Sequence, residues 1–199
     1  MAAASIKAAA QRLRDFPWPD GSDDSALLVT LPPGLYTAQV SGASGDTGAA
    51  LLEVYDADSP TTSPRLVDIS LRSFVGTGDN IQVAGITVTG TKPKTVLIRA
   101  TGPSLAPYGV SDVLPDPLLK LYDGTSTLRR QNRGWSSDAA AAAAIRSAAT
   151  STGAFAWPDG SNDSALLVTL PPGLYSAQVS GASGDTGVAL LEVYDVDLR

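Results

Sequence analysis

The residue types that most often carry catalysis or bind metals are scarce in this chain of 199 residues. It contains no histidine and no cysteine, so Ser-His-Asp and Cys-His arrangements, zinc-thiolate sites and disulfides are excluded. Carboxylates remain, because a pair of them can serve as acid and base in glycoside hydrolysis. The candidates are Asp20, Asp24, Asp56 and Asp58, with their copies Asp159, Asp163, Asp195 and Asp197. We do not expect a catalytic pair to be duplicated within half a domain, and we predict that the chain is not an enzyme.

Two loops place oxygen ligands at alternating positions, as hard cations such as calcium prefer. The positions are Asp20, Ser22 and Asp24 in the first loop and Asp159, Ser161 and Asp163 in the second. The EF-hand pattern also requires a glycine next and a glutamate at the twelfth position, where this chain has Ser25 and Leu31. Aspartate in a turn can equally well accept hydrogen bonds from the backbone. Calcium is kept as an alternative, and no other cofactor is predicted.

Five large aromatic residues could stack on a sugar if they were exposed. They are Trp18, Trp135, Trp157, Tyr108 and Tyr122. Large aromatic side chains at the ends of strands and helices more often cap a hydrophobic core. Carbohydrate binding is therefore a second alternative, which an exposed coplanar strip of these rings would favour.

The charge balance restricts the classes of partner. A net charge of -6 argues against a nucleic-acid or anionic-membrane partner, because such binding depends on clustered cations. Arg129, Arg130 and Arg133 form one small basic cluster, which we interpret as a solvated loop or strand end. The chain has no apolar run of about 18 residues, so we predict no membrane insertion.

The sequence is organised around a long stretch that occurs twice. Residues 18–58, here called block 1, match residues 157–197, here called block 2, with four substitutions. The substituted pairs are Asp23 and Asn162, Thr37 and Ser176, Ala49 and Val188, and Ala57 and Val196. Each change roughly keeps size or polarity, so we expect the two blocks to adopt the same conformation.

Each block predicts three β-strands from the alternation of its apolar residues. In block 1 the strands cover residues 25–31, 36–40 and 49–55, and block 2 has strands at the same positions. The Pro-Pro-Gly sequence at 32–34 supplies the first turn and the glycine-rich stretch 41–48 supplies the second. Three strands joined by two turns predict a meander.

The region between the blocks, residues 66–135, predicts further strands and is here called the A half. Its apolar alternation covers residues 67–72, 81–88, 94–99 and 118–123. A phase slip at Ala84 and Gly85 predicts a β-bulge. Two alanine-rich stretches, residues 2–14 and 138–149, predict short helices, of which the second begins at the N-cap Asp138.

These elements divide the chain into a partial repeat at 1–58, a proline-containing polar linker at 59–65 and a complete repeat at 66–199. The complete repeat contains the A half, the second helix and block 2. A hydrophobic content of 43% with 19 glycines and 14 prolines indicates a core built from short strands and many turns. We predict a mainly β fold: an antiparallel β-sandwich of jelly-roll or immunoglobulin-like type, with two short alanine-rich helices and the duplicated block at both ends.

Block 1 is surplus to this arrangement. Three strands and a short helix bury too little apolar surface to offset the entropy lost on ordering them. Two equivalent blocks therefore compete for a single A half. One block must therefore pack elsewhere, against an exposed edge of the same chain or against another chain.

The stretches LVDISLRSFVGTGDNIQVAGITVTG, KTVLIRATGPSLAPYGV and SALLVTLPPGLYSAQVSG resemble a repeat common in large secreted or surface-exposed bacterial proteins. The block by itself is similar to the closing strands of pre-peptidase C-terminal β-sandwich domains. The resemblance covers residues 64–197 and, through block 1, most of 16–58. It implies an extracellular or cell-surface β-sandwich without assigned catalytic residues.

Together these observations predict an extracellular structural protein that assembles with other copies of itself into a fibre, filament or surface layer. The duplicated block would be exchanged or packed between subunits. The predicted assembly residues lie on the apolar strand faces of block 1: Leu27, Val29, Leu31, Tyr36, Val40, Leu52 and Val54. The alternative is a carbohydrate-binding or calcium-dependent adhesion module of a secreted multi-repeat protein.

Overall fold

The computed structural model describes residues 3–13, 18–19, 21–58 and 66–197. The chain divides into two units, Met1–Leu66 and Val67–Arg199. In unit 1 the helix α1 (Ala3–Leu13) lies within the first predicted helix. The predicted linker 59–65 and the calcium candidate Asp20 lie outside the described residues. No described helix has the length and apolar character needed to cross a membrane.

Unit 2 contains eight strands within residues 66–197, together with one α-helix and a short 3₁₀ helix. The strands are β1 (Asp68–Val75), β2 (Gln82–Val88), β3 (Lys94–Thr101), β4 (Pro117–Asp123), β5 (Leu128–Asn132), β6 (Ser164–Leu170), β7 (Gly173–Gly181) and β8 (Gly187–Asp195). The 3₁₀ helix (Pro103–Tyr108) follows β3, and the helix α2 (Ala139–Thr152) precedes β6.

The strands of unit 2 form two antiparallel four-stranded sheets that pack as a sandwich. One sheet has the order β1-β8-β3-β6 and the other has the order β2-β7-β4-β5. Buried side chains from both sheets, such as Ile98, Leu121, Val179 and Leu191, form the core between them. The predicted fold class, a mainly β antiparallel sandwich with short helices, is confirmed.

The three strands of block 2 do not pair with one another, so the predicted meander is wrong. β8 lies between β1 and β3 in the first sheet, and β6 pairs with the other edge of β3. β7 lies between β2 and β4 in the second sheet. Alternation defines the faces of a strand but not its neighbours. Every neighbour of a block 2 strand comes from the A half.

The second face of the first sheet is covered by α2. Leu97 and Ala165 on this face pack with Ile145 of the helix and with Trp135 and Tyr194. Both faces of β3 and β6 are thus apolar, because one lines the sandwich core and the other lies beneath the helix. The Asp138 carboxylate accepts a hydrogen bond from Ala141 N at 2.7 Å, which caps the first turn of α2.

The predicted bulge at Ala84 and Gly85 is wrong, because β2 pairs with β7 in one unbroken register from Gln82 to Val88. The irregularity in the second sheet lies between Leu121 and Tyr122, opposite β5. β5 was not predicted, since its sequence LRRQN has no apolar alternation. Charged side chains are common on edge strands, where they oppose pairing with other chains. The basic cluster therefore begins on a sheet edge.

Block 1 forms neither strand nor helix between residues 21 and 58, which contradicts the three strands predicted there. Ala9 of α1 is the one buried residue among 3–13, 18–19 and 21–58. The physical reason follows from unit 2, where strands of the same sequence obtain all their backbone partners from an A half. A block without an A half has no strand to pair with.

Candidate assembly interface

Identical side chains occupy opposite environments in the two blocks. The exposed fractions are 45% for Leu31 against 5% for Leu170, 59% for Val40 against 0% for Val179, and 45% for Leu52 against 1% for Leu191. Burying a side chain of this size stabilises by about 1.5–3 kcal/mol relative to leaving it in water. Block 1 therefore carries an apolar surface that the chain demonstrably buries when an A half is present.

The remaining predicted assembly residues are also exposed. They are Leu27 at 89%, Val29 at 58%, Tyr36 at 54% and Val54 at 47%. Large apolar residues clustered on a surface mark sites of interaction with other proteins, whereas single ones are ordinary. All seven predicted assembly residues are thus exposed in block 1, and their part in assembly stays a prediction.

Block 1 nevertheless keeps the local turns of block 2. The Tyr36 hydroxyl donates to Pro32 O at 2.8 Å, as the Tyr175 hydroxyl donates to Pro171 O at 2.9 Å. Each tyrosine closes the turn between the first and second strand positions. The bond depends only on residues of the same block, so it forms whether or not the strands have partners.

The glycine-rich loop between the second and third strand positions is also the same in both blocks. Gly45 N donates to Gly42 O at 3.4 Å, and Gly184 N donates to Gly181 O at 3.4 Å. Gly45 has φ +80° and Gly184 has φ +82°, which is the left-handed region that glycine tolerates. The two turns of block 1 thus have the same local hydrogen bonds as those of block 2.

The acceptor of block 2 is the A half, which is incomplete without it. β1 and β2 pair only with strands of block 2, and β3 pairs only with β6 and β8. Among the described strands, β4 and β5 are the one pair that lies wholly within the A half. Neither part can form the two sheets alone.

A buried aspartate anchors the start of block 2 to the A half. Asp163 is fully buried, and its Oδ1 accepts hydrogen bonds from Gly102 N at 2.7 Å and Ser104 N at 3.3 Å. Its Oδ2 accepts from the hydroxyls of Ser104 at 2.5 Å and Ser161 at 2.7 Å. Two of the predicted calcium ligands therefore hydrogen-bond directly to each other and to the residues that open the 3₁₀ helix.

The other calcium candidates among the described residues are exposed. Asp159 is exposed and accepts from Arg146 Nη2 at 2.6 Å, and Ser22 and Asp24 are exposed in block 1. No group of three or more acidic side chains among the described residues is placed to hold a metal ion. Calcium binding at these positions therefore stays a prediction.

A buried ion pair forms a second polar connection between the halves. Arg99 Nε of β3 lies 3.6 Å from Glu192 Oε2 of β8. The Tyr194 hydroxyl donates to Glu192 Oε1 at 2.6 Å, and the Thr101 hydroxyl donates to Oε2 at 3.3 Å. Burial raises the pKa of Glu192 above its usual range, against the opposing charge of Arg99. Burial likewise lowers the pKa of Arg99 and raises that of Tyr194.

Sequence reasoning missed this pair, although a signal was present. Arg99 directly follows the apolar run of Val96, Leu97 and Ile98 in the strand sequence KTVLIRAT, and charged residues are almost never fully buried without a partner. Its guanidinium lies between the rings of Phe155 and Trp157, 4.6 and 4.0 Å from their centroids. Arg99 Nη2 also donates to Phe155 O at 2.7 Å.

The aromatic residues considered for sugar binding have mixed roles. Trp135 is buried and meets Trp157 edge-on at 5.8 Å between ring centroids. Tyr108 is exposed and lies edge-on to Phe155, while Trp18 belongs to block 1. A polar cleft of about 270 Å³ lies between the loops that contain Gly76 and Gly184, and no aromatic ring lines it.

Comparison with known proteins gives distant structural likenesses. No protein-family model matches the chain, and no curated protein sequence is similar to it. Among solved structures, the chain is similar to the pre-peptidase C-terminal domain of collagenase from Bacillus anthracis, with 14% identity and a TM-score of 0.38. The match covers 64% of this chain and 89% of that chain. This is the type of domain that the sequence of the block resembles.

Proposed function

We propose that the protein is a non-catalytic, extracellular structural protein that builds larger assemblies through block 1. One observation carries the proposal: block 1 exposes the apolar side chains that the near-identical block 2 buries. A surface of this composition is stabilised by contact with protein rather than water. The predicted product is a fibre, filament or surface layer of identical subunits.

The proposed assembly is open rather than a closed dimer. Block 1 of one subunit would contact a different surface of the next subunit, such as an edge strand of its sandwich. Contacts of this head-to-tail kind generate filaments when the rotation between subunits does not close a ring. Extended segments that add to a sheet edge gain backbone hydrogen bonds in the same step.

The non-catalytic and extracellular parts of the proposal have their own support. The buried acids Asp163 and Glu192 accept hydrogen bonds from groups of the A half. A structural role accounts for both without a substrate. The extracellular location is supported by the sequence resemblance to repeats of secreted and surface-exposed proteins.

Light scattering and negative-stain microscopy of the purified chain test the proposal. We expect the full chain to form large oligomers or fibres and the chain lacking residues 1–58 to be a folded monomer. The double variant Val40→Asp and Leu52→Asp should also be monomeric, because it places charges on the exposed apolar face. The matched control Thr37→Asp and Gln39→Asp alters the polar face and should still assemble. A monomeric full chain would overturn the proposal.

A further inference from the structure

We infer that block 1 is a three-strand donor that completes an A-type half-sandwich whose block position is unfilled. The inference rests on the proposed function in one respect, that block 1 is the assembly surface. It names a different partner, a half-domain with an unfilled block position in place of an identical subunit.

The chain itself shows what covers a block of this sequence. Block 2 contributes β8 to the centre of one sheet, β7 to the centre of the other and β6 to an edge. These strands bury Leu170, Val179 and Leu191, whose counterparts in block 1 are exposed. Because block 1 shares this sequence and these turns, the surface that fits it is an array of A-half strands with gaps at the same places.

Block 1 also keeps the polar groups that connect block 2 to its A half. Asp24 is the counterpart of Asp163, and Glu53 is the counterpart of Glu192. The Tyr55 hydroxyl donates to Glu53 Oε1 at 3.0 Å, as its counterpart does in block 2. The expected partner therefore presents a guanidinium to Glu53, and backbone N–H groups with a hydroxyl to Asp24.

Counting the halves argues against exchange between identical copies. Each chain has two blocks and one A half, and block 2 already fills that half. If block 1 of one copy displaced block 2 of another, one block would still be left without an A half for every chain. Exchange among identical copies therefore buries no additional block, whereas an A-type half that lacks its own block does.

The substitutions between the blocks indicate that the A half of this chain is matched to block 2. Asn162 Nδ2 donates to Pro115 O at 3.3 Å, and the carboxylate of its counterpart Asp23 cannot donate. Val196 packs with the cluster beneath α2, where its counterpart Ala57 would fill less space. The partner of block 1 should therefore offer a donor opposite position 23 and a bulkier side chain opposite position 57.

The test uses the full chain, with its own A half as the probe. The variant Val179→Asp and Leu191→Asp disables block 2 and leaves block 1 as the one intact donor. We expect this variant to keep strand circular dichroism and a cooperative urea transition, because block 1 takes the vacated half. Adding Val40→Asp and Leu52→Asp disables both blocks and should unfold the chain. If the first variant is as unfolded as the second, the inference is wrong.

An engineered disulfide tests the strand register in which block 1 pairs with β1. The chain has no cysteine, and Arg72 of β1 lies opposite Leu190 of β8. In the variant with block 2 disabled, Arg72→Cys and Leu51→Cys should crosslink, since Leu51 is the counterpart of Leu190. The reference pair Arg72→Cys and Leu190→Cys should crosslink when block 2 is intact. A folded variant that lacks the 51–72 crosslink would show that block 1 does not dock in this register.

Improving the fit between block 1 and the A half should increase the stability of the fold. In the variant with block 2 disabled, Asp23→Asn, Ala49→Val and Ala57→Val should raise the folding equilibrium constant tenfold or more. No change would overturn the assignment of these positions as determinants of fit.

The outcomes separate this inference from the proposed function. A monomeric wild-type chain together with a folded, crosslinked variant supports the A-type partner and overturns assembly from identical copies. Fibres that depend on block 1, together with an unfolded variant, support assembly from identical copies and overturn the A-type partner.

Discussion

Asp163 accepts four hydrogen bonds inside the protein, so its carboxylate is fully used in holding β6 to the 3₁₀ helix. Asp163→Asn keeps one oxygen that accepts from Gly102 N and Ser104 N, but it replaces Oδ2 by an NH2 group that cannot accept from the buried hydroxyls of Ser104 and Ser161. Losing a charged acceptor of this kind costs about 3 kcal/mol. We expect that decrease in the free energy of unfolding from urea titration monitored by circular dichroism.

The control for this prediction is Asp159→Asn in the same loop. Asp159 pairs with Arg146 at the surface, and exposed ion pairs contribute about 0–1 kcal/mol. Similar losses in the two variants would contradict the anchoring role of Asp163.

Glu192 gives a prediction about pH. Burial raises its pKa in the folded state, so the folded state binds this proton more strongly than the unfolded state does. The resulting stabilisation is fully present below the unfolded pKa, about 4.3, and is lost as the pH rises through the folded pKa. The groups that face Glu192 are Arg99, Tyr194 and Asp68.

The measurement compares wild type with Glu192→Gln, which cannot titrate at this position. The free energy of unfolding of wild type minus that of the variant should fall between pH 4 and pH 7. A difference that stays constant or rises with pH would show that pairing with Arg99 outweighs burial.

The candidate site was only partly predictable from single residues. The apolar faces of block 1 follow from alternation, and the structure places all seven predicted residues on the surface. The roles of Asp163 and Arg99 were not predictable in this way, because their partners lie far away in sequence. A buried charge can be recognised from an apolar strand, but the group that neutralises it cannot.

At the scale of strands, the two blocks provide an internal comparison. Leu191→Ala on β8 removes a side chain from the sandwich core and should cost about 2–5 kcal/mol. Leu52→Ala makes the same change at the matching position of block 1, where the side chain is exposed. It should alter the free energy of unfolding by less than about 0.5 kcal/mol. Urea titration of both variants at a concentration where the chain is monomeric measures the difference.

If the two variants lose equal stability, Leu52 must be buried in solution. That outcome would contradict the exposed state of block 1 described above.

Most strands of unit 2 were predictable, and their pairing was not. β3, β4 and β7 lie where alternation placed them, since each presents a continuous apolar face. β5 was missed because an edge strand needs no such face. The order of the sheets depends on contacts between segments such as β1 and β8, more than a hundred residues apart, and strand pairing over such distances is set by tertiary packing.

At the scale of the whole molecule, all strand pairs among the described residues lie within residues 68–195. The chain lacking residues 1–58 should therefore keep the urea midpoint of the full chain. Its refolding should also lack a slow phase, because the full chain has two near-identical blocks that compete for one A half. Stopped-flow tryptophan fluorescence measures the refolding phases of both chains. The full chain has three tryptophans, and the truncated chain keeps Trp135 and Trp157.

A refolding trace with the same phases in both chains would show that block 1 does not compete. A lower urea midpoint for the truncated chain would show that residues 1–58 stabilise the sandwich.

The two ends of the sandwich meet. Asp195 N, at the end of β8, donates to Val67 O just before β1 at 3.0 Å, so the polypeptide leaves the fold beside the point where it enters. A block joined in front of an A half can reach the same position as a block joined behind it. The order of block and A half along the chain therefore does not determine the fold of the sandwich. A chain that places a block before an A half and a chain that places it after can therefore build the same sandwich.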